Sequence, residues 1–230
     1  MRRLVRLSLA ASSVSTFAAL LHAAAAPAGG GLTVDITSPA TGSRVAWGSQ
    51  APYAISVSYE GKSSKLGEIP SNQIVLRAAY AANADAASGA AALPDGVAEI
   101  SRSNCSGCHD FTASSAAPAF AAIGKRGGAA ATLAAHIRNG SHGNWGGGSM
   151  PPHPDMSPAQ AAAIAQWIVK QAADPTIQYS IGKSGTFRMA APGKPGPRAG
   201  IVLSAFYTGP LKAGDGRNAS GRTTVVVHGS

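Results

Sequence analysis

The chain has 230 residues, a formal net charge of +9, 45% hydrophobic and 13% charged side chains, and a mean hydropathy near zero. That length holds one or two ordinary domains of roughly 100 to 200 residues. The composition excludes a charge-driven disordered chain and, beyond residue 26, a membrane-spanning one. Two cysteines, Cys105 and Cys108, allow one disulfide at most, which excludes a disulfide-stapled scaffold.

Residues 1–26 read as an export signal. Arg2, Arg3 and Arg6 form a basic start, Leu7 to Leu21 an apolar middle, and Ala23 to Ala26 a run of small residues for cleavage. An uncleaved anchor helix is the alternative, disfavoured by Ser8, Ser12, Ser13 and Ser15 within the apolar stretch. A periplasmic or secreted protein is expected, with no stable membrane span in the mature chain.

Strands are expected first. Thr33 to Ser38 is closed by Pro39, and Arg44 to Trp47 follows. In the next stretch Tyr53, Ile55, Val57 and Tyr59 alternate with Ala54, Ser56 and Ser58, the period of a half-buried strand, before a turn at Glu60-Gly61-Lys62. Gln73 to Tyr80 is the fourth, with Ile74, Leu76 and Tyr80 on one face. The period then becomes helical. Asp95 to Asn104 carries Val97 and Ile100, and Ala129 to Asn139 carries Leu133 and Ile137 before a stop at Gly140. Pro158 to Ala173 carries Ile164, Trp167 and Ile168 behind a Ser157 cap, Pro158 in the first position and Gln160 completing a capping box. Residues 174–199 read as a linker, and strands return at Gly200 to Tyr207 and Thr223 to His228.

Two strands alone rarely make a stable fold, so residues 32–92 and 200–230 are expected to be two parts of one sandwich. The predicted fold class is α+β multidomain: an all-α domain over 94–173, inserted in or flanked by an immunoglobulin-like β-sandwich. Insertion requires the two ends of the helical unit to lie close together. Positive charge gathers after residue 174, where Lys183, Arg188, Lys194, Arg198, Lys212, Arg217 and Arg222 meet only Asp174 and Asp215. Such a field can steer an acidic partner or anionic surface, although a merely solvated basic face is the simpler reading. Nucleic acid is not expected, because the basic residues stand singly among glycines and prolines, without a basic helix or stacking aromatics.

Cys105-Ser106-Gly107-Cys108-His109 matches C-x-x-C-H, the signature of covalent haem attachment. Two thiols one helical turn apart can each add to a haem vinyl group, and the adjacent histidine then reaches the iron as its proximal ligand. Zinc is the first alternative and would need His136, His142 or His153 to complete its set. A redox dithiol is the second and would need a surrounding β-α-β pattern, which is absent. Met150 stands in Gly146-Gly147-Gly148-Ser149-Met150-Pro151-Pro152, where glycines let the chain wrap closely and prolines stiffen it, and is the expected second iron ligand. His142, His153, Met156 or an open sixth position are the alternatives. Gly182-Lys183-Ser184 lacks the earlier glycine of a phosphate-binding loop, and no G-x-S-x-G is present.

With C-S-G-C-H at 105–109, A-P-A-F at 117–120, S-M-P-P at 149–152 and a terminal helix bearing Trp167, residues 94–173 resemble the class I c-type cytochromes. The resemblance implies one covalent haem c, held by Cys105 and Cys108, with His109 and Met150 on the iron. It also implies that the Pro118 carbonyl receives the Nδ1 proton of His109. The family often has glycine before this proline, where Ala117 stands here. Gly96 and Ile100 resemble the family's close crossing of first and last helices, with Trp167 beside Gly96. The flanking strands look like the β-domain that accompanies cytochromes of extracellular sugar or alcohol dehydrogenases. The function implied is electron transfer between redox proteins, a dehydrogenase or an oxidase, and not an enzyme's bond chemistry. A peroxidase-like haem enzyme with an open sixth site, and a glycan-binding β-domain with a haem sensor, are the alternatives.

Overall fold

The computed structural model describes residues 31–87, 91–211 and 219–230. The export signal read at 1–26 lies outside the described residues, as do Lys212 and Arg217 of the basic tail. Five strands come first: β1 (Thr33–Ser38), β2 (Arg44–Val45), β3 (Gln50–Tyr59), β4 (Lys62–Ser63) and β5 (Ile74–Ala81). A helical region follows, with α1 (Asp95–Arg102), α2 (Phe120–Arg126), α3 (Ala130–Asn139), the two-residue strands β6 (Ser141–His142) and β7 (Ser149–Met150), and α4 (Pro158–Gln171). The chain closes with β8 (Ile177–Ile181), β9 (Ser184–Arg188), β10 (Gly200–Tyr207) and β11 (Arg222–Gly229).

Apart from the β6–β7 pair, the strands form two sheets. In one, β3 is flanked by β1 on one side and by β4 and β9 on the other; the second runs β2-β11-β10-β5-β8. Their facing sides share one core. Tyr53, Ile55, Val57 and Tyr59 of β3, the alternation expected from the sequence, meet Ile74 and Leu76 of β5 and Ile201 and Leu203 of β10. The strand β10 is buried at every position, because it is central in its sheet and covered on both faces.

Residues 174–199 are not a linker. They contain β8, antiparallel to β5, and β9, antiparallel to β3, so the chain crosses there from one sheet to the other. Each is five residues long with a single fully buried side chain, Tyr179 or Phe187, which leaves no period-two pattern to read. The strand expected at Arg44 to Trp47 shortens to β2, paired parallel to β11. The helix α2 is a further addition.

The helices lie between β5 and β8, which are hydrogen-bonded neighbours. At the crossing of α1 and α4, a β-carbon on Gly96 would sit 2.5 Å from Trp167 Cβ and 2.6 Å from the Ala163 carbonyl oxygen. Only glycine fits there without movement, and the two ends of the helical unit meet as a result. The cap of α4 is as read: Ser157 Oγ accepts from Gln160 N while Gln160 Oε1 accepts from Ser157 N. Val75 of β5 and Tyr179 of β8 leave the sandwich core and pack with Phe111, Phe120 and Trp167. Beside them the Ser101 hydroxyl lies 2.7 Å from Thr208 Oγ1, and Arg102 Nε donates to the Thr208 carbonyl at 2.7 Å. The helices and the five-stranded sheet therefore share an apolar and hydrogen-bonded seam. Among the described residues no helix is long and apolar enough to cross a membrane.

Candidate haem site

The helix α1 ends at Arg102 and the chain tightens into a short turn. Cys108 N and His109 N both donate to the Cys105 carbonyl, at 3.2 and 3.0 Å. This turn places the two cysteines about one helical turn apart. Neither is in a disulfide; Cys105 is half-buried and Cys108 exposed. Burial pushes the Cys105 thiol above the ordinary range, opposed by the Ser103 hydroxyl 3.0 Å from its sulfur.

His109 Nδ1 lies 2.7 Å from the Pro118 carbonyl oxygen. A carbonyl can only accept, so Nδ1 carries the proton and Nε2 is left with a free lone pair, the form in which imidazole binds a metal. The loop that presents Pro118 is fixed at both ends. Asp110 Oδ1 accepts from Thr112 N and Ala113 N, Ala117 N donates to the Cys108 carbonyl, and Phe120 N donates to the Asp110 carbonyl. Ala117 is accommodated before Pro118 in this arrangement. Phe120 then stacks on the His109 ring, centroids 5.2 Å apart and planes 22° apart.

Met150 arrives on the hairpin of β6 and β7, with Ser141 opposite it. Gly140 makes this approach available. Its φ of 80° and ψ of 171° are open essentially to glycine alone, and a β-carbon there would lie 2.9 Å from the Met150 carbonyl oxygen. Gly140→Ala is expected to cost about 1–3 kcal/mol of stability and to displace Met150. If Met150 ligates the iron, the displacement should appear in the haem-loaded protein as a weakened methionine-to-iron charge-transfer band.

Cys105, Cys108, His109, Pro118 and Met150 all line one cavity of about 600 Å³. Ile123, Leu133, Ile137, Ile164 and Ile168 supply its apolar wall. The volume lies within the roughly 300–1,000 Å³ usual for small-molecule and cofactor pockets. Two thiols outside any disulfide, an imidazole with Nδ1 on the Pro118 carbonyl and Nε2 free, and a thioether around an apolar cavity are a donor set that fits a haem c. Of the other candidate ligands, His136 and His153 line the same cavity, whereas His142 and Met156 do not. Among the described residues no three His, Cys, Asp or Glu side chains form a cage for a metal ion, so the zinc reading lacks its ligand set. Sequence reasoning overlooked Arg126 and treated Gly140 only as a helix stop. The Trp145 ring is 44% exposed at the cavity and lies 4.8 Å from the Arg126 guanidinium carbon.

Residues 92–168 match the family model described as cytochrome c oxidase, cbb3-type, subunit III. Over 79 residues the chain is 37% identical to cytochrome c-551 of Stutzerimonas stutzeri, covering 33% of this chain and 75% of that protein. The chain belongs to the class I c-type cytochromes. It is also 39% identical over 69 residues to cytochrome c-552 of Hydrogenobacter thermophilus, covering 28% of this chain and 69% of that one. A solved structure of Nitrosomonas europaea cytochrome c552 is 36% identical and covers 31% of this chain and 93% of that one, with a TM-score of 0.30. This cytochrome accordingly has one covalent haem c and serves electron transfer. Its two sheets lie outside the stretch matched by the family model.

Proposed function

We propose that this cytochrome is a periplasmic or secreted carrier of single electrons, in which Cys105 and Cys108 tether the porphyrin and His109 and Met150 ligate the iron. The observation that carries the reading is the convergence of both ligands and both thiols on one cavity. The bound haem supplies a one-electron couple. The Pro118 carbonyl keeps the imidazole proton on Nδ1, so Nε2 stays available to the metal in either oxidation state. A thioether at Met150 raises the potential and, by filling the last position, disfavours oxygen or peroxide chemistry. The apolar wall of Ile123, Leu133, Ile137, Ile164 and Ile168 offers the porphyrin face a hydrophobic contact.

The strands form an immunoglobulin-like sandwich in this reading, with residues 94–173 inserted between β5 and β8. The pairing of those two strands and the α1–α4 crossing at Gly96 support it. The sandwich docks the carrier on its redox partners, a dehydrogenase as donor or an oxidase as acceptor. The test is the optical spectrum of protein matured with haem, as isolated and reduced. A low-spin c-type spectrum with a methionine-to-iron band is expected, and Met150→Ala should abolish that band. A high-spin or bis-histidine wild-type spectrum would reject the assignment of Met150.

A further inference from the structure

The hairpin that carries Met150 is held by little of its own. Its strands β6 and β7 are two residues each, and Gly143-Asn144-Trp145-Gly146-Gly147-Gly148 joins them. Gly143 and Gly146 have φ of 72° and 88°, and Gly143 N donates to the Gly148 carbonyl at 3.4 Å, the long end of hydrogen bonding. With four glycines in six residues, this loop loses more conformational freedom on closing than an ordinary loop of its length.

The missing restraint comes from the last residue of α2. The Arg126 guanidinium donates from Nη1 to the Asn144 carbonyl and lies over the Trp145 ring, 4.8 Å from its centroid. Its anchorage is firm. A β-carbon on Gly124 would sit 2.5 Å from the Ile168 carbonyl oxygen, so α2 is seated directly on the backbone of α4. Arg126, Asn144 and Trp145 line the same cavity as Met150. We infer that Arg126 is a latch, a positioning residue that pins the glycine loop to α2 and so holds the Met150 thioether at the haem iron. The inference rests on Met150 being the iron ligand.

A latch of this kind sets how often the loop opens, and an outside ligand can reach the iron only when Met150 has left it. Affinity for that ligand scales with the open population. One cation–π contact and one hydrogen bond, both solvent-exposed and therefore at the bottom of the ordinary ranges for such contacts, are together worth roughly a five- to tenfold shift in that population. The experiment is an imidazole titration of the full-length, haem-loaded ferric protein, followed by loss of the methionine-to-iron band. Arg126→Ala is expected to bind imidazole about five- to tenfold more tightly than wild type, at an unchanged melting temperature of the strands. Arg126→Lys, which keeps the charge over Trp145 and loses the planar fork, should fall between the two. A merely structural role would move the melting temperature and leave the imidazole affinity unchanged. If the wild-type band is present and Arg126→Ala stays within twofold of wild type, the latch is wrong and the Met150 ligation stands. If wild type shows no band and takes imidazole as an open site does, the ligation itself fails and the latch with it.

Discussion

Tyr179→Ala is expected to lower the stability of the whole chain by about 3–5 kcal/mol, the range for losing a large buried aromatic. Tyr179 belongs to β8, yet its ring packs with the cytochrome helices, 5.6 Å from Phe111 and 5.7 Å from Trp167, which meets it at 84°. Phe111 and Trp167 each touch Phe120, and Phe120 stacks on His109. One side chain of the five-stranded sheet thus completes the aromatic wall behind the proximal histidine. Burial pushes the Tyr179 hydroxyl up, with Arg77 opposing. Tyr179→Phe keeps the ring contacts and removes only the hydroxyl near Arg77, so it should stay within about 1 kcal/mol of wild type. Chemical denaturation followed through haem absorbance and through strand circular dichroism gives the measurement. Both transitions of Tyr179→Ala should move together to lower denaturant. A haem transition that stays at its wild-type midpoint while the strands melt earlier would show that the seam does not couple the two units.

The sequence was most readable where one residue pattern answers to one physical constraint. The alternation around Val57 became β3 because only one of its faces meets the core, and Ser157 with Gln160 capped α4 by purely local hydrogen bonds. Spacing alone placed Cys105, Cys108 and His109 in one turn. Strands β8 and β9 were hidden because each lies at the end of its strand pairing and buries one side chain, so neighbours and not their own pattern make them strands. Helix α2 buries only Phe120 fully, and its seat depends on Gly124 meeting the backbone of α4, a contact far away in sequence. For the same reason Arg126 was invisible: its meaning lies in where α2 ends relative to Asn144 and Trp145. Pro118 could be placed through family resemblance, since a carbonyl that accepts from a histidine leaves no mark of its own in a sequence.

Gly96→Ala adds one methyl group and is expected to cost about 3 kcal/mol, the upper part of the usual overpacking range, or roughly 6 to 12 °C in Tm for a chain of this size. The added carbon would lie 2.5 Å from Trp167 Cβ, 2.6 Å from the Ala163 carbonyl oxygen and 3.2 Å from its carbon. Two of those atoms are backbone and the third is a Cβ, so no rotamer change relieves the clash; α1 and α4 must move apart. Both helices lead directly into the site. α1 delivers the chain to Cys105, while Ile164 and Ile168 of α4 line the cavity, so separation also loosens the apolar wall. Gly107→Ala provides the control. A methyl group there meets nothing within 4 Å, and the variant should melt within about 0.5 kcal/mol of wild type, as surface substitutions do. Thermal melting of the two haem-loaded variants side by side is the measurement. If Gly96→Ala melts with Gly107→Ala, the close crossing does not hold the cytochrome's ends together, and the support that it lends to an inserted domain is lost.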